Sequence, residues 1–295
     1  MPQTKRPALD WQSGKSLQES LEHLLSNDIG SDVTFLVGVK RTRVFAHKLV
    51  ISSRSPVFFA MFNGPLAETG DVEIPDINVE TFLPFLRYLY TDQIDLTDQV
   101  VVPVMSVARK YCVDVLLSVC GKYLQKNLTP ANACFLLEVA HIYTEDRLMA
   151  ACLQVIGNSP QAILKSESFA YLCPQCVTSI TESDELAVNE STLYSAVIKW
   201  AEKECVRQNL QISGENKRKV LGDILNTIRF PTMDQDFFLD KVYVDKILKN
   251  DEIVEILMYI RNKERGSFTT FNTKSRRMVY PHYTEGFIHG KKTHR

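Results

Sequence analysis

The chain has 295 residues, of which 45% are hydrophobic and 23% are charged, and this is enough apolar surface for two compact domains. Its formal net charge of −1 argues against a general attraction for nucleic acid. No stretch reaches the roughly 18 uninterrupted apolar residues that a membrane helix needs, and the first residues lack the apolar core of a secretory signal. These features predict a cytoplasmic protein with no membrane partner. Its seven cysteines, most of them within helical apolar patterns, fit a reducing compartment.

The first predicted elements are a disordered start and a short amphipathic helix. Residues 1–15 carry prolines, a glycine and polar neighbours without any apolar period, so we expect no stable structure there. A helix follows from near Ser16 to Asn27, and four leucines recur on one of its faces. They are Leu17, Leu21, Leu24 and Leu25. An apolar stripe on so short a helix needs a partner surface.

Short strands and helices are predicted over the next hundred residues or so. The β-branched and aromatic stretch 32–38, followed by 44–46, indicates a hairpin. Residues 71–75 alternate like a strand, and 93–96 form a further short extended piece. Helical patterns occur at 47–52, 55–62, 79–90 and 101–124, the last with a break at 112–114. The strands are too short to form a sheet without helical cover, so the fold class of this part is α+β.

From about residue 127 onward, apolar positions recur only at helical spacing, and no convincing strand appears before Gly266. Asn189 is predicted to cap one helix and Asp251 another. The first of these helices carries the stripe Leu193, Ala196, Val197 and Trp200. The second carries Ile253, Ile256, Leu257 and Ile260. This part is therefore an all-α module, followed by a short irregular tail.

The first part of the chain resembles the BTB/POZ domain family, because several motifs occur in the order that the family has. They are Asp32-Val-Thr-Phe35, Phe45-Ala-His-Lys-Leu-Val50, Arg54-Ser-Pro-Val-Phe58, Met61-Phe62, Ile74-Pro-Asp76, Tyr88-Leu-Tyr-Thr91 and Ala108-Arg-Lys-Tyr111. So many motifs in sequence make the resemblance highly specific.

The helical part is similar to the BACK module that follows the BTB domain in many ubiquitin-ligase adaptors. Trp200 would lie in its central helix, and Ile228-Arg-Phe-Pro-Thr-Met233 is its clearest signature. The chain looks most like the group that also carries a C-terminal PHR β-sandwich, which would begin at Phe268-Thr-Thr-Phe-Asn-Thr-Lys-Ser-Arg276. The resemblance implies a disordered N-terminus at 1–15, a BTB/POZ domain at 16–126, a BACK domain at 127–265, and at 266–295 the truncated start of a PHR-like domain or a disordered basic tail.

The resemblance also implies a two-fold homodimer, in which the leucine stripe crosses to the partner. The alternative, that this helix packs within its own chain, stays open. A charge pair between Asp32 and Lys48 is implied near the dimer seam, where losing one member would leave a buried charge uncompensated. We interpret His47 as a packed, hydrogen-bonded core histidine, because no nucleophile or carboxylate stands at a spacing useful for acid–base chemistry.

Docking to a cullin-3-type ubiquitin-ligase scaffold is the main functional implication of the resemblance. The family uses a hydrophobic-x-Glu segment after its Met-Phe helix, where Leu66-Ala-Glu68 stands here. Leu66 would fill an apolar pocket and Glu68 would meet donors at the rim, although an ordinary surface loop is the alternative. Tyr111, Phe135 and Tyr143 fall where the family extends this contact, but each is as well explained as a core residue. The implied function is that of a substrate adaptor, with an unidentified protein as its substrate.

The sequence predicts no catalytic, cofactor-binding or metal site. Cys173-Pro-Gln-Cys176 has the spacing of redox and metal-binding motifs. It follows no strand of a βαβ unit, however, and the sequence offers no second pair of metal ligands nearby. Glycine-rich phosphate loops, HExxH and GxSxG are also absent. We therefore expect a non-enzymatic protein without cofactors.

Three further functions were weighed against the adaptor. C₂H₂ spacing is absent, which argues against a BTB transcription factor with zinc fingers. From Gly266 onward, six basic residues and one acidic residue are interleaved with aromatic residues, and we interpret them as a solvated tail rather than an RNA-binding segment. Too few residues follow Phe268 for a complete sandwich. This favours, as the second hypothesis, a truncated regulatory or structural dimer that pairs with full-length relatives and has no substrate of its own.

Overall fold

The computed structural model describes residues 11–65, 67–261 and 270–277, and these residues form two compact units. One unit contains the described residues up to Leu128 together with Val139–Met149. The other contains Thr129–Glu138 and the described residues from Ala150 onward. None of the helices in these ranges combines the length and the apolar character that crossing a bilayer would require.

The first unit combines a three-stranded sheet with helices. Its strands are β1 (Val33–Val37), β2 (Thr42–Ala46) and β3 (Val72–Ile74). Its helices are α1 (Leu17–Ser26), α2 (Lys48–Arg54), α3 (Pro56–Asn63), α4 (Val79–Thr91), α5 (Val101–Lys110), α6 (Asp114–Lys126) and the end of α7 (Ala133–Tyr143). The predicted hairpin, third strand and helices are confirmed, and the predicted break separates α5 from α6. Residues 93–96 belong to no strand.

The sheet has the strand order β2-β1-β3. β1 pairs antiparallel with β2, where Val33 faces Ala46, and parallel with β3, where Phe35 faces Val72. A parallel pair needs a crossover longer than a tight turn, and α2 and α3 lie within the connection from β2 to β3. Alternate residues of β1 are buried, as expected of a strand with one face on a core.

Aromatic rings fill the core of this unit. Phe35 of β1 lies 5.3 Å from Phe82, measured between ring centroids, and 5.6 Å from Phe58. The ring of Tyr111 stacks on Phe58 at 4.3 Å and on Phe85 at 5.4 Å. Such ring pairs contribute roughly 0.5–1.5 kcal/mol each beyond the area that they bury. This cluster therefore ties the sheet to α3, α4 and the end of α5.

The second unit contains no strand among its described residues, which confirms the predicted all-α module for that range. It includes the start of α7, most of α8 (Asp146–Asn158), α9 (Pro160–Lys165), α10 (Pro174–Glu182), α11 (Glu190–Arg207), α12 (Gly214–Leu221), α13 (Ile224–Thr227), α14 (Gln235–Phe237), α15 (Tyr243–Asp245) and α16 (Asn250–Arg261). Single 3₁₀ turns occur at Phe169–Tyr171 and Phe230–Thr232, and a π-helical turn at Phe238–Val242 joins α14 to α15.

The central helix of this unit is α11, and its cap is as predicted. The Asn189 Oδ1 atom accepts the Thr192 backbone N–H at 2.8 Å. All four residues of the predicted stripe are buried, and the Trp200 indole N–H donates to the Leu172 carbonyl at 2.8 Å. The stripe is therefore buried along its whole length, and its one polar side-chain atom, the indole nitrogen of Trp200, has a hydrogen-bond partner.

The predicted cap at Asp251 is wrong, because α16 already begins at Asn250 and Asp251 lies within its first turn. The side chain that meets this helix start is Glu252, whose Oε2 atom accepts the Lys249 backbone N–H at 2.7 Å. Of the four residues predicted to form its stripe, only Ile256 is buried.

The predicted disorder at both termini needs a partial correction. Residues 1–10, 262–269 and 278–295 lie outside the described residues, so the predictions for them stay predictions. Trp11, however, stacks on His23 of α1 at 4.4 Å. Residues 270–277, which form no helix or strand, pack on the second unit: Phe271 is buried against Phe230, with the ring centroids 4.9 Å apart. A solvated tail is therefore the wrong description for 270–277.

Candidate protein-interaction site

The first unit carries an open apolar groove of about 470 Å³ between α1, α2 and the end of α4, which we call the α1 groove. Its apolar lining consists of Leu17, Leu21, Leu49, Val50, Leu89 and Tyr90. Two of these side chains are almost fully exposed, Leu17 at 77% and Leu49 at 82%. Exposed leucines side by side along a groove are typical of a surface that binds another protein.

Local interactions hold α1 beside the groove. Ser16 and Glu19 form a reciprocal capping box, in which the Glu19 N–H donates to Ser16 Oγ at 3.2 Å and the Ser16 N–H donates to Glu19 Oε2 at 2.7 Å. These contacts lower the pKa of Glu19, the backbone hydrogen bond most of all, so its carboxylate stays charged at the positive end of the helix. The Arg87 guanidinium of α4 donates to Glu22 Oε1 at 2.7 Å. α1 is thus attached to α4 of its own chain.

This attachment covers the predicted leucine stripe only in part. Leu21, Leu24 and Leu25 are half-buried, Leu17 is exposed, and no residue of α1 is fully buried. Packing of α1 within its own chain therefore covers three of the four leucines in part. Leu17 has no covering surface within the described residues.

The expected charge pair between Asp32 and Lys48 is replaced by a different contact. Asp32 Oδ1 accepts the backbone N–H of Lys48 at 2.7 Å, at the first residue of α2, where a carboxylate is favoured by the helix dipole. The Lys48 ammonium group lies over the ring of Phe62, 5.2 Å from its centroid. Neither residue is fully buried. The two residues do meet, but the side-chain ion pair predicted from the family is not among the ion pairs of the described residues.

His47 is hydrogen-bonded as predicted, but it is half-buried at the groove wall and is not a core residue. Its Nε2 atom lies 2.8 Å from the Ile29 carbonyl oxygen, which can only accept, so this nitrogen carries the proton. Its Nδ1 atom lies 2.8 Å from the Tyr90 hydroxyl, which also accepts the His47 backbone N–H at 2.7 Å. Burial raises the pKa of Tyr90, which keeps its hydroxyl protonated and able to donate to Nδ1. The pair connects the start of α2 to α4 at the groove wall.

The loop after α3 presents Glu68 to solvent. α3 ends at Asn63 with Gly64 as its C-cap, and the Gly64 N–H donates to the Ala60 carbonyl at 2.9 Å. The Glu68 backbone N–H donates to the Met61 carbonyl at 2.9 Å, so the loop folds back on the helix while the carboxylate stays exposed. Leu66 lies outside the described residues, and its predicted role stays a prediction.

The three residues predicted to extend the cullin contact are placed differently from one another. Tyr111 is only 2% exposed and belongs to the aromatic core, which is the alternative that the sequence left open for it. Burial also raises its pKa, and its backbone carbonyl accepts the Ser55 hydroxyl at 2.6 Å. Phe135 of α7 is 57% exposed, as a contact residue must be. Tyr143, the last residue of the same helix, is half-buried.

Comparison with known protein families assigns both parts of the chain. Residues 21–128 match the BTB/POZ domain family, and residues 133–243 match the BACK family, described as BTB And C-terminal Kelch. The chain contains a BTB/POZ domain followed by a BACK domain. The loop with Glu68 and the α1 groove from Leu21 onward lie within the BTB/POZ match, Leu17 lies just before it, and Phe135 lies within the BACK match.

Several curated proteins are similar along nearly the whole chain. Human BTB/POZ domain-containing protein 3 is 36% identical over 279 residues, which is 93% of this chain and 53% of that protein. Human BTB/POZ domain-containing protein 6 is 37% identical over 259 residues, 86% of this chain and 48% of that protein. The protein 6 of Xenopus tropicalis is 36% identical over 271 residues, 90% of this chain and 51% of that protein. The chain thus spans about half the length of the curated relatives that it matches. Neither family match reaches residues 244–295, so the predicted PHR segment stays a prediction.

Sequence reasoning missed part of the groove in the BTB/POZ domain. The sequence indicates Leu49 only as a motif residue, although it is the most exposed apolar residue of the groove lining. The missed signal is that Leu49 and Val50 are consecutive apolar residues of a seven-residue helix, so they project from different sides of it. A helix of this length cannot bury both sides. Arg54 and Asp92 form an ion pair at the groove wall, and this pair joins residues 38 positions apart in the chain.

Proposed function

We propose that this chain is a substrate-adaptor subunit of a cullin-3-type ubiquitin ligase. In this proposal it homodimerises through the α1 groove of its BTB/POZ domain, docks the cullin scaffold through the loop that carries Glu68, and supports ubiquitination of an unidentified protein substrate without catalysing a reaction itself. The presence of a BTB/POZ domain followed by a BACK domain supports this combination, since both are protein-interaction domains.

The observation that carries the proposal is the uncovered apolar surface of the α1 groove. Burying an exposed leucine side chain contributes roughly 1.5–3 kcal/mol. A two-fold interface uses the same patch on both copies, so Leu17 and Leu49 each contribute twice. Ser53, Arg54, Thr91 and Asp92 supply polar side chains at the edge of the same groove. Apolar centre and polar edge are the arrangement expected of a protein–protein interface.

A second feature supports docking through the loop after α3. Glu68 is exposed and lies one turn beyond a helix whose end is fixed by backbone hydrogen bonds. A carboxylate held by a short, tethered loop loses little conformational entropy when it binds. It therefore suits the rim of an interface better than a carboxylate on an untethered segment.

The dimer is tested with one substitution in the groove and one matched control. Leu49→Asp places a charge at the centre of the proposed interface, and Val115→Asp places the same charge on α6, where Val115 is also exposed. Sedimentation velocity at micromolar concentration should show a dimer for the unchanged chain and for Val115→Asp, and a monomer for Leu49→Asp. A monomeric unchanged chain would overturn the proposed assembly.

Cullin docking is tested on the same preparations. Binding of the cullin-3 N-terminal domain should weaken at least tenfold for Glu68→Lys, whereas Glu80→Lys, at an exposed position in the first turn of α4, should bind like the unchanged chain. Both variants should remain dimers. If the unchanged chain dimerises but binds no cullin, the adaptor proposal fails, and the regulatory or structural dimer takes its place.

A further inference from the structure

We propose that Glu138, Cys173 and Cys176 form a binding site for a thiophilic divalent metal ion of the Zn²⁺ class within the BACK domain. The Cys173-Pro-Gln-Cys176 segment offers two sulfur ligands, and the fold adds a carboxylate that the sequence did not place beside them. This inference is independent of the proposed adaptor function.

Three donor atoms from two separate elements converge at this point. A carboxylate oxygen of Glu138 and the Sγ atoms of Cys173 and Cys176 all lie within 4.8 Å of one another. Glu138 comes from α7, and the cysteines are the N-cap and third residue of α10. A tetrahedral Zn²⁺ with bonds of about 2.0–2.3 Å holds its ligand atoms roughly 3.3–3.8 Å apart. Side-chain movements of about 1 Å would therefore close the site.

The α10 helix start organises the two sulfur ligands. The Cys176 backbone N–H donates to Cys173 Sγ at 3.4 Å, which holds this sulfur at the start of α10. The Cys176 thiol makes a long contact of 3.7 Å to the Leu137 carbonyl. Binding a metal as a thiolate gives up only this long contact, whereas the N–H to Cys173 Sγ can remain. Two cysteines separated by two residues are a common half of a zinc site.

The charge at the cluster favours a cation. No lysine, arginine or histidine of the described ranges forms an ion pair with Glu138, whose carboxylate instead accepts the Cys173 backbone N–H. A partly buried carboxylate without a cationic neighbour is costly. A divalent ion would displace the two thiol protons into solvent on binding and offset the negative charge of the carboxylate and the two resulting thiolates together.

A disulfide between the two cysteines is the competing use of this motif, but the presence of the Glu138 carboxylate beside them favours a metal ion. Disulfide formation would consume both sulfurs and leave Glu138 beside two neutral atoms, with no change in its own unpaired charge. A metal ion uses all three groups at once. Thiolates together with a carboxylate fit Zn²⁺ better than Mg²⁺ or Ca²⁺, which prefer oxygen ligands only. Cys173 is partly exposed, so water can supply the fourth ligand.

The site is tested on the full chain with Co²⁺ as the spectroscopic probe for Zn²⁺. One equivalent of Co²⁺ added to the reduced chain should produce a sulfur-to-cobalt charge-transfer band, and Zn²⁺ should abolish it. Glu138→Gln should weaken binding by roughly tenfold or more, and Cys173→Ser by roughly 100-fold or more. Cys112→Ser, which removes an exposed cysteine elsewhere, should leave the titration unchanged.

A second measurement needs no variant and so does not depend on whether the variants fold. Alkylation mapped by mass spectrometry should be at least tenfold slower at Cys173 when Zn²⁺ is present, and unchanged at Cys112. Three outcomes would overturn the proposal: Co²⁺ binding without the charge-transfer band, a band that persists in Cys173→Ser, or equal alkylation with and without Zn²⁺. Recovery of a Cys173–Cys176 disulfide from a chain that binds no Co²⁺ when reduced would make the motif a redox pair instead.

Discussion

Helices α1 and α11 carry apolar stripes of the same period, but only the stripe of α11 is buried within the chain. Every residue of the α11 stripe is buried, with Trp200 fully enclosed, whereas no residue of α1 is buried. α11 has 18 residues and is packed by neighbouring helices within the BACK domain, while α1 has 10 residues and is attached on one side only. Period alone therefore identifies an apolar face but does not say whether the same chain covers it.

The comparison has a direct energetic consequence. Substitutions on the α11 side should reduce the free energy of unfolding, because they remove packing that exists within one chain. Substitutions on the α1 side should leave unfolding almost unchanged and act on association instead, because in the proposed dimer the packing partner is a second copy of the chain. Four substitutions separate these effects, beginning with the largest expected change.

Trp200→Ala should have the largest effect. It removes a fully buried ring and leaves the Leu172 carbonyl without its donor, and such changes cost about 3–5 kcal/mol. Urea denaturation followed by circular dichroism should show a markedly lower midpoint for the helical signal. Val206→Ala on the same helix removes an exposed side chain and should change stability by no more than about 0.5 kcal/mol. Similar losses for both variants would show that α11 is not the core of the domain.

Arg276→Met should follow, with a loss of about 3 kcal/mol or more. The Arg276 guanidinium donates to Glu190 in a fully enclosed pair and also to the carbonyls of Ser183 and Thr227, at 2.7 and 3.0 Å. Removing it leaves the buried Glu190 carboxylate with only the Arg229 backbone N–H at 3.3 Å and the Arg229 guanidinium at 3.9 Å, and the cost of this lost compensation exceeds the net value of the pair itself. Urea denaturation measures the loss.

A double substitution identifies the physical origin of that loss. Glu190→Gln removes the charge that Arg276→Met leaves behind, so the double variant should regain part of the lost stability. A double variant less stable than either single variant would show that packing of residues 270–277, and not charge compensation, dominates this anchor.

Asp184 should give a smaller effect that depends on pH. Hydrogen bonds from Lys274 and Arg229 lower the pKa of Asp184 to about 2, below its ordinary value. A carboxylate with a lowered pKa in the folded state contributes stability above its unfolded pKa and loses it as pH falls toward the folded pKa. The urea midpoint of the unchanged chain should therefore drop between about pH 5 and pH 2, and Asp184→Asn should show a smaller drop. Glu185→Gln controls for the change in net charge, and a drop equal to that of the unchanged chain in Asp184→Asn would contradict the prediction.

Local sequence patterns were sufficient for most elements but not for contacts between distant residues. The hairpin, α4 and α11 follow from side-chain period and capping, which depend on neighbours in the chain. Arg276 was assigned to a basic tail, because nothing near it indicates that Glu190, 86 residues away, is its partner. Glu138 and Cys173 are likewise 35 residues apart and meet only through the packing of two helices.

In the candidate interaction site, too, local patterns were predictable from the sequence and contacts between distant residues were not. The leucine stripe of α1 was predicted, since its spacing is visible in the sequence. The position of Leu49 beside it was not, because that depends on how α2 and α4 pack. For Tyr111 the sequence leaves both explanations open, because an aromatic residue at a helix end fits a core as well as a contact surface, and the stacking on Phe58 places it in the core.

Leu17→Ala should have the smallest effect on unfolding and still be informative. Because Leu17 is 77% exposed and alanine favours a helix, the free energy of unfolding should change by no more than about 0.5 kcal/mol when the chain is monomeric. If α1 is covered by a second copy, the truncation removes two leucines from one interface, and the dimer dissociation constant should rise by roughly tenfold or more. Sedimentation equilibrium measures that constant, and urea denaturation at low concentration measures the stability. A loss of monomer stability comparable to that of Trp200→Ala would mean that α1 is a core helix like α11, so that the contrast between the two helices, and with it the argument for dimerisation, would fail.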